Sequence, residues 1–136
     1  MKKLYLILLV FAFFILNLTG CKEDYGKDFI GTWVQVNGNK FPSELTIRFD
    51  KGVYHLDLKY FDLKVAEKKL NQETSDYFLG KTKNFPSEEN SFNKDSYRVK
   101  TLEAVAISNS VLQGDDFSLR LEGKNLKFNE DVYEKK

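Results

Sequence analysis

Few residues in this chain could do covalent chemistry. It has a single cysteine, Cys21, and a single histidine, His55. One thiol makes no intrachain disulfide and no thiolate metal cluster, and one imidazole falls short of the three or four ligands zinc takes. His55 stands two residues before Asp57 in an alternating stretch, so both side chains share a face, about 7 Å apart along the backbone. A serine nucleophile would need His55 as its base and a Gly-x-Ser-x-Gly elbow, which the sequence lacks. His55 therefore reads as a solvent-facing strand histidine, with an occasional hydrogen bond to Asp57 as the alternative. Glycan hydrolysis needs only two carboxylates facing each other across roughly 5–9 Å. The available acids are Asp57 with Asp62, Glu88 with Glu89, and Asp115 with Asp116. Strand neighbours point apart and turn neighbours face water, so Asp115-Asp116, after Gly114, reads as turn-forming. The stretch from Asp50 to Asp62 lacks the alternating ligands of a calcium loop, and the eight glycines form no phosphate cradle. No catalytic residue, metal site or cofactor is assigned. A glycan-acting enzyme is the remotest of the alternatives.

The 136 residues suit one domain. Setting aside the first twenty leaves 116 residues with 19 basic and 20 acidic side chains, which offers no electrostatic case for nucleic acid. Lys64, Lys68, Lys69, Lys81 and Lys83 are interleaved with Glu67 and Glu73 and read as a solvated face. Met1-Lys2-Lys3 is a basic head, and the thirteen residues Leu4 to Leu16 carry no charge. As a helix that run spans ~20 Å against a hydrocarbon layer of ~30 Å, the length of a signal-peptide core. Residues 1–20 are accordingly read as a signal peptide with a helical core. Leu18-Thr19-Gly20-Cys21 resembles the lipobox that ends the signal peptides of bacterial lipoproteins. The resemblance implies a lipid thioether on Cys21, and so attachment to membrane lipid. Two or more acyl chains would hold the protein stably, at about 0.8 kcal/mol per buried CH₂. Lys22-Glu23-Asp24 resembles the export signal of surface lipoproteins of Bacteroidota, and 18 Lys, 3 Arg and ten Asn fit a low-GC genome of that kind. The implied location is the outer membrane, with the cell surface ahead of its periplasmic face.

Residues 21–28 read as a lipidated tether and 29–136 as one β domain. Leu45, Ile47 and Phe49 alternate with polar residues in Glu44–Asp50, as a half-buried strand requires. Asp50-Lys51-Gly52 reverses the chain, and Tyr54, Leu56, Leu58 and Tyr60 share a face of the next strand. Residues 61–82 have two readings. Phe61, Leu63 and Val65 have strand spacing, which a bulge near Tyr60-Phe61 would accommodate; Leu63, Ala66 and Leu70 have helical spacing. The strand is the preferred reading, and residues 83–95 read as a long loop. A phase change at Lys100-Thr101 is expected, since Tyr97 and Val99 differ in parity from Leu102, Ala104 and Ala106. Phe117–Leu121 and Leu126–Phe128 make a closing hairpin. Seven or eight strands and no helix beyond the leader result, in a small barrel or a two-sheet sandwich, since either removes or covers exposed sheet edges. The expected core holds Trp33, Leu45, Ile47, Phe49, Tyr54, Leu56, Leu58, Leu119, Leu121, Leu126 and Phe128.

Phe29-Ile30-Gly31-Thr32-Trp33 resembles the Gly-x-Trp opening of lipocalins and of lipocalin-like lipoprotein domains of Bacteroidota; the final hairpin and Tyr133 are similar too. The resemblance implies an antiparallel up-and-down barrel whose closed end is plugged by Trp33. It also implies a basic residue packed over the indole, here Lys135 or Lys136 because no Arg follows Arg120. Such barrels can enclose a small apolar ligand. Sixteen of the 116 residues after the leader are aromatic, and Phe41, Phe61, Phe85 and Phe92 lie at loops or phase breaks where burial is least assured. These four are the candidate contacts with a ligand or an envelope-protein partner. The expected function is non-enzymatic binding at a membrane, of a small apolar ligand in the barrel. The alternative is an accessory subunit of a surface or outer-membrane complex. A continuous apolar cavity would favour the first, and a filled core with exposed Phe85 and Phe92 the second.

Overall fold

Alternating apolar residues make a sheet with one dry face, and such a sheet has to cover that face and its edges. Here it does so by closing. The computed structural model describes residues 25–38 and 40–136. The signal peptide 1–20, the lipobox, Cys21 and Lys22-Glu23-Asp24 lie outside the described residues. The strands are β1 (Gly31–Gln35), β2 (Glu44–Asp50), β3 (Val53–Phe61), β4 (Tyr97–Ser108), β5 (Val111–Gln113), β6 (Ser118–Glu122), β7 (Asn125–Phe128) and β8 (Asp131–Lys135). Each pairs antiparallel with the next, and β8 returns to β1 with Gln35 opposite Tyr133 and Trp33 opposite Lys135. The eight strands form a closed up-and-down barrel, which sets the sandwich alternative aside. Lys51 and Gly52 turn β2 into β3 with φ of 49° and 88°, the two positive values of a type I′ hairpin.

Twelve buried side chains fill the barrel: Phe29, Trp33, Leu45, Ile47, Tyr54, Leu56, Ala104, Leu112, Leu119, Leu126, Phe128 and Tyr133. Leu58 and Leu121 pack against this core only in part. Phe49 was expected inside and is 36 % exposed. It has the inward parity of Leu45 and Ile47, but it sits at the end of β2, where its ring covers core Tyr54 at 4.8 Å and keeps its other face in solvent.

Residues 62–96 correct the sequence reading most. Leu63–Phe78 is a helix, α1, and not a second strand. Asp62 decides it: the extended backbone of an N-cap lets its carboxylate accept from the Val65 amide at 3.2 Å, which starts a helix in place of a bulge. Glu67 to Gln72 then continues it with residues mostly of good helix propensity, and the left-handed Gly80 (φ 68°) follows its end. The loop expected over 83–95 contains a short helix α2 (Glu88–Ser91), and a 3₁₀ turn follows at Lys94–Ser96. β3 and β4 pair in unbroken register from Tyr54–Ala104 to Phe61–Tyr97, so neither expected phase break exists. Tyr97 and Val99 simply face outward, and the real register shift falls between Ala106 and Ser108.

Candidate functional site

The two ends of the barrel are built differently. At one end the chain before β1 forms a plug. Tyr25 and Gly26 lead into a 3₁₀ turn, Lys27–Phe29, in which Gly26 and Phe29 are buried while Tyr25, Lys27 and Asp28 stay exposed. The Tyr54 hydroxyl donates to the Tyr25 carbonyl, and the Trp33 indole N–H donates to the Phe29 carbonyl at 2.7 Å. A methyl group on Gly26 would collide with Tyr54 and Leu112, so the plug touches β1, β3 and β5 at once. Burial pushes the Tyr54 phenol above its ordinary pKa, with Lys27 opposing that shift. The Lys135 ammonium lies 5.3 Å from the centre of the Trp33 ring and donates to the Asp28 carbonyl at 3.1 Å. Gly31 makes this possible: its φ of 133° is open mainly to glycine, and a Cβ there would stand 2.9 Å from Lys135 Cε. The Gly31-x-Trp33 spacing thus has a local cause, an indole and a lysine stem stacked beside one residue without a side chain. A recess of about 810 Å³ opens at this end, lined by Trp33 and Leu121 among Asp28, Lys124, Glu134 and Lys135.

Toward the other end the interior turns polar. The buried Tyr133 hydroxyl lies 2.7 Å from Ser43 Oγ, Ser43 donates through Oγ and its amide to Gln35 Oε1, and Gln35 Nε2 donates to Asp131 at 2.7 Å. Desolvation raises the Tyr133 pKa; the Ser43 hydrogen bond lowers it and Asp131 raises it further.

From this end projects the insert, residues 62–96. Its neck is closed by the Asp62 amide on the Ser96 carbonyl at 2.9 Å. Inside it, buried Ser96 donates to the Ser91 carbonyl, and buried Ser91 donates to Glu73 on α1, each at 2.8 Å. Ala66 is the one α1 residue fully buried, so the insert has little core of its own. Phe78, Leu79 and Phe85 are 80 %, 65 % and 72 % exposed, and Tyr77 touches both phenylalanines edge-on.

The four candidate aromatics separate. Phe41 stacks on Phe61 at 4.0 Å, and Phe92 and Tyr97 complete a half-buried cluster where the insert meets the barrel. Phe85 stands apart, on the insert beside Tyr77. Phe78 and Leu79 escaped the sequence reading, since residues 74–82 carried no clear period. Ser91, Ser96 and Glu73 escaped it because a buried serine has no pattern. The spacing of Leu63, Ala66 and Leu70 after Asp62 was the available signal.

On the outer wall, Asp57 accepts from Arg48 at 2.6 Å and from Thr101 at 3.0 Å, while His55 faces Glu103 across the strands at 3.3 Å. His55 lies on the outward-facing side of its strand, and the alternative of a hydrogen bond to Asp57 gives way to cross-strand partners for each. Asp115 and Asp116 lie exposed in the β5–β6 turn. Among the described residues no three His, Cys, Asp or Glu side chains gather in a metal-binding group.

A closed eight-stranded antiparallel barrel with a plugged end is the architecture of the lipocalin-like class, and the chain is consistent with that fold. No protein-family model, curated protein or solved structure matches it.

Proposed function

We propose that this chain is a lipid-anchored lipoprotein of a bacterial outer membrane that binds a protein partner through its insert, with the barrel as scaffold. One observation carries the choice of partner over enclosed ligand. The barrel interior is occupied by twelve of its own side chains, while the insert leaves Phe78, Leu79 and Phe85 uncovered. Large apolar groups in solvent beside a polar surround are the composition of a docking surface. The half-buried cluster of Phe41, Phe61 and Phe92 then serves to fix the insert on the barrel. The recess beside Lys135 favours a second reading, a small ligand. Its lining residues are mostly polar or charged, but more of the wall surface is apolar than polar, which suits an amphipathic ligand.

The anchor is supported by sequence alone: the basic head, the thirteen-residue apolar run and Leu18-Thr19-Gly20-Cys21 in series. Lys22-Glu23-Asp24 supports the cell surface as its location. No helix among the described residues is long and apolar enough to cross a membrane.

Two measurements test the reading. Metabolic labelling with an alkyne fatty acid should mark the wild type and fail on Cys21→Ser. Crosslinking in intact cells should give a discrete adduct with the wild type that Phe78→Ser with Phe85→Ser abolishes. Recovery of the protein with a lipid inside the barrel, and no change on Phe85→Ser, would overturn the docking assignment.

A further inference from the structure

The plugged end carries apolar side chains that the barrel leaves uncovered. Tyr25, Phe49, Val105 and Ile107 line a recess of about 520 Å³ beside the β2–β3 turn, and Ile107 is 61 % exposed. Ile30, just before β1, is exposed at the same end. Folding accounts for them only in part. Val105 and Ile107 have outward parity on β4, and Phe49, although its ring lies 4.8 Å from that of core Tyr54, is still 36 % exposed.

The chain enters the barrel here. Tyr25 is part of this rim, and only Lys22, Glu23 and Asp24 separate it from Cys21. Four Cα steps reach at most ~14 Å, whatever their conformation. The opposite end lies a strand length away, about 30 Å along the nine residues of β3.

We propose that the plugged end seats on the lipid bilayer, with Tyr25, Phe49, Val105 and Ile107 in its interfacial layer and the insert held away from it. This rests on the reading of Cys21 as acylated. Acyl chains fix Cys21 at the bilayer surface, and the short tether keeps the rim within reach of that surface. A bilayer is the occupant that the geometry supplies at this distance. Tyr25 suits it, since an aromatic body with a polar tip settles at headgroup level. The charges at this end are mixed, Lys27, Lys51, Lys124 and Lys135 against Asp28, Asp50, Glu122 and Glu134. Contact is therefore apolar in origin and resists salt.

The test uses the acylated full-length chain in vesicles of phosphatidylethanolamine and phosphatidylglycerol whose acyl chains carry nitroxide quenchers. With Cys21 blocked by lipid, a fluorophore attaches uniquely to Ile107→Cys or, as the distal control, to Phe85→Cys. The Ile107→Cys probe should be quenched several-fold more strongly than the Phe85→Cys probe, and raised salt should leave the ratio unchanged. Hydrogen exchange of the unsubstituted protein should show added protection over 105–107 on vesicles and none over 76–86. Equal quenching of the two probes, or protection confined to the insert, overturns the orientation while leaving the anchor intact. Failure of Cys21 to take up labelled fatty acid overturns both.

Discussion

The plug and the insert are segments of one chain that solve the same problem in opposite ways. Each lies across or beside one end of the barrel, outside the strand ladder. The plug is tied to three strands within five residues and leads straight into the core through Phe29 and Trp33. The insert spends thirty-five residues to bury one alanine of its long helix, and it is joined by a serine–glutamate network and an aromatic cluster at its base. A segment that completes a core is part of the cooperative unit, whereas a segment held at its neck opens by itself. The plugged end is thus built for stability and the insert for exposure, which is what a surface awaiting a partner requires.

The largest effect should come from breaking the plug. Trp33→Ala removes a buried indole, its hydrogen bond to Phe29 and the platform under Lys135, and should cost about 3–5 kcal/mol. Urea unfolding by circular dichroism measures it. A loss below 1 kcal/mol would show that the plug is decoration.

Alkali strikes the barrel next. Tyr54, Tyr97 and Tyr133 all have raised pKa values, with desolvation the leading cause in each. Unfolded tyrosines ionise near pH 10, so the contribution of the neutral phenols is whole below that and is lost as pH rises through the higher folded values. Urea midpoints followed upward from neutral pH should fall steeply past that point, and Tyr133→Phe should flatten the fall. A wild-type curve that stays level would contradict the desolvation of these phenols.

On the insert, Asp62→Ala removes the N-cap of α1 and should cost about 1 kcal/mol, confined to the insert. Hydrogen exchange should lose protection over 63–78 and keep it in the barrel strands. Loss spread evenly over both would mean that the two regions form one cooperative unit, and the contrast would fail.

The same contrast governs what the sequence disclosed. The barrel was legible because a sheet with one dry face repeats every two residues, and β2, β3, β6 and β7 each state that period within a few positions. Gly31-x-Trp33 was legible because glycine, indole and the late lysine are tied by one packing event. The insert was not. Phe61 to Leu70 satisfies both periods, and the arbiter is a single side chain, Asp62, whose capping role depends on a hydrogen bond three residues on. The two expected phase breaks fail for different reasons: at Tyr60-Phe61 the strand ends and Asp62 caps a helix, whereas the break at Lys100-Thr101 assumes Tyr97 and Val99 on the inner face, and the outer wall holds them instead. Apolar character marks a core residue only if the surface has no use for it. Phe49, Val105 and Ile107 follow the same rule at the plugged end.

The smallest effect sharpens the contrast most. Phe78 and Leu79 are mostly solvent-exposed at the end of α1, so replacing both by serine removes little buried area and leaves no cavity. Unfolding should shift by no more than about 0.5 kcal/mol, the range for surface positions. A small gain is as acceptable as a small loss, because the exposed apolar groups already contact water in the free protein. The same pair of substitutions should abolish the crosslinked adduct in cells. Stability and binding then separate at these two residues, which is the signature of a surface retained for a partner. A destabilisation of several kcal/mol would instead place Phe78 and Leu79 in a core of the insert. The insert would then be a second folded unit in its own right, and its exposed aromatics would lose their standing as the binding surface.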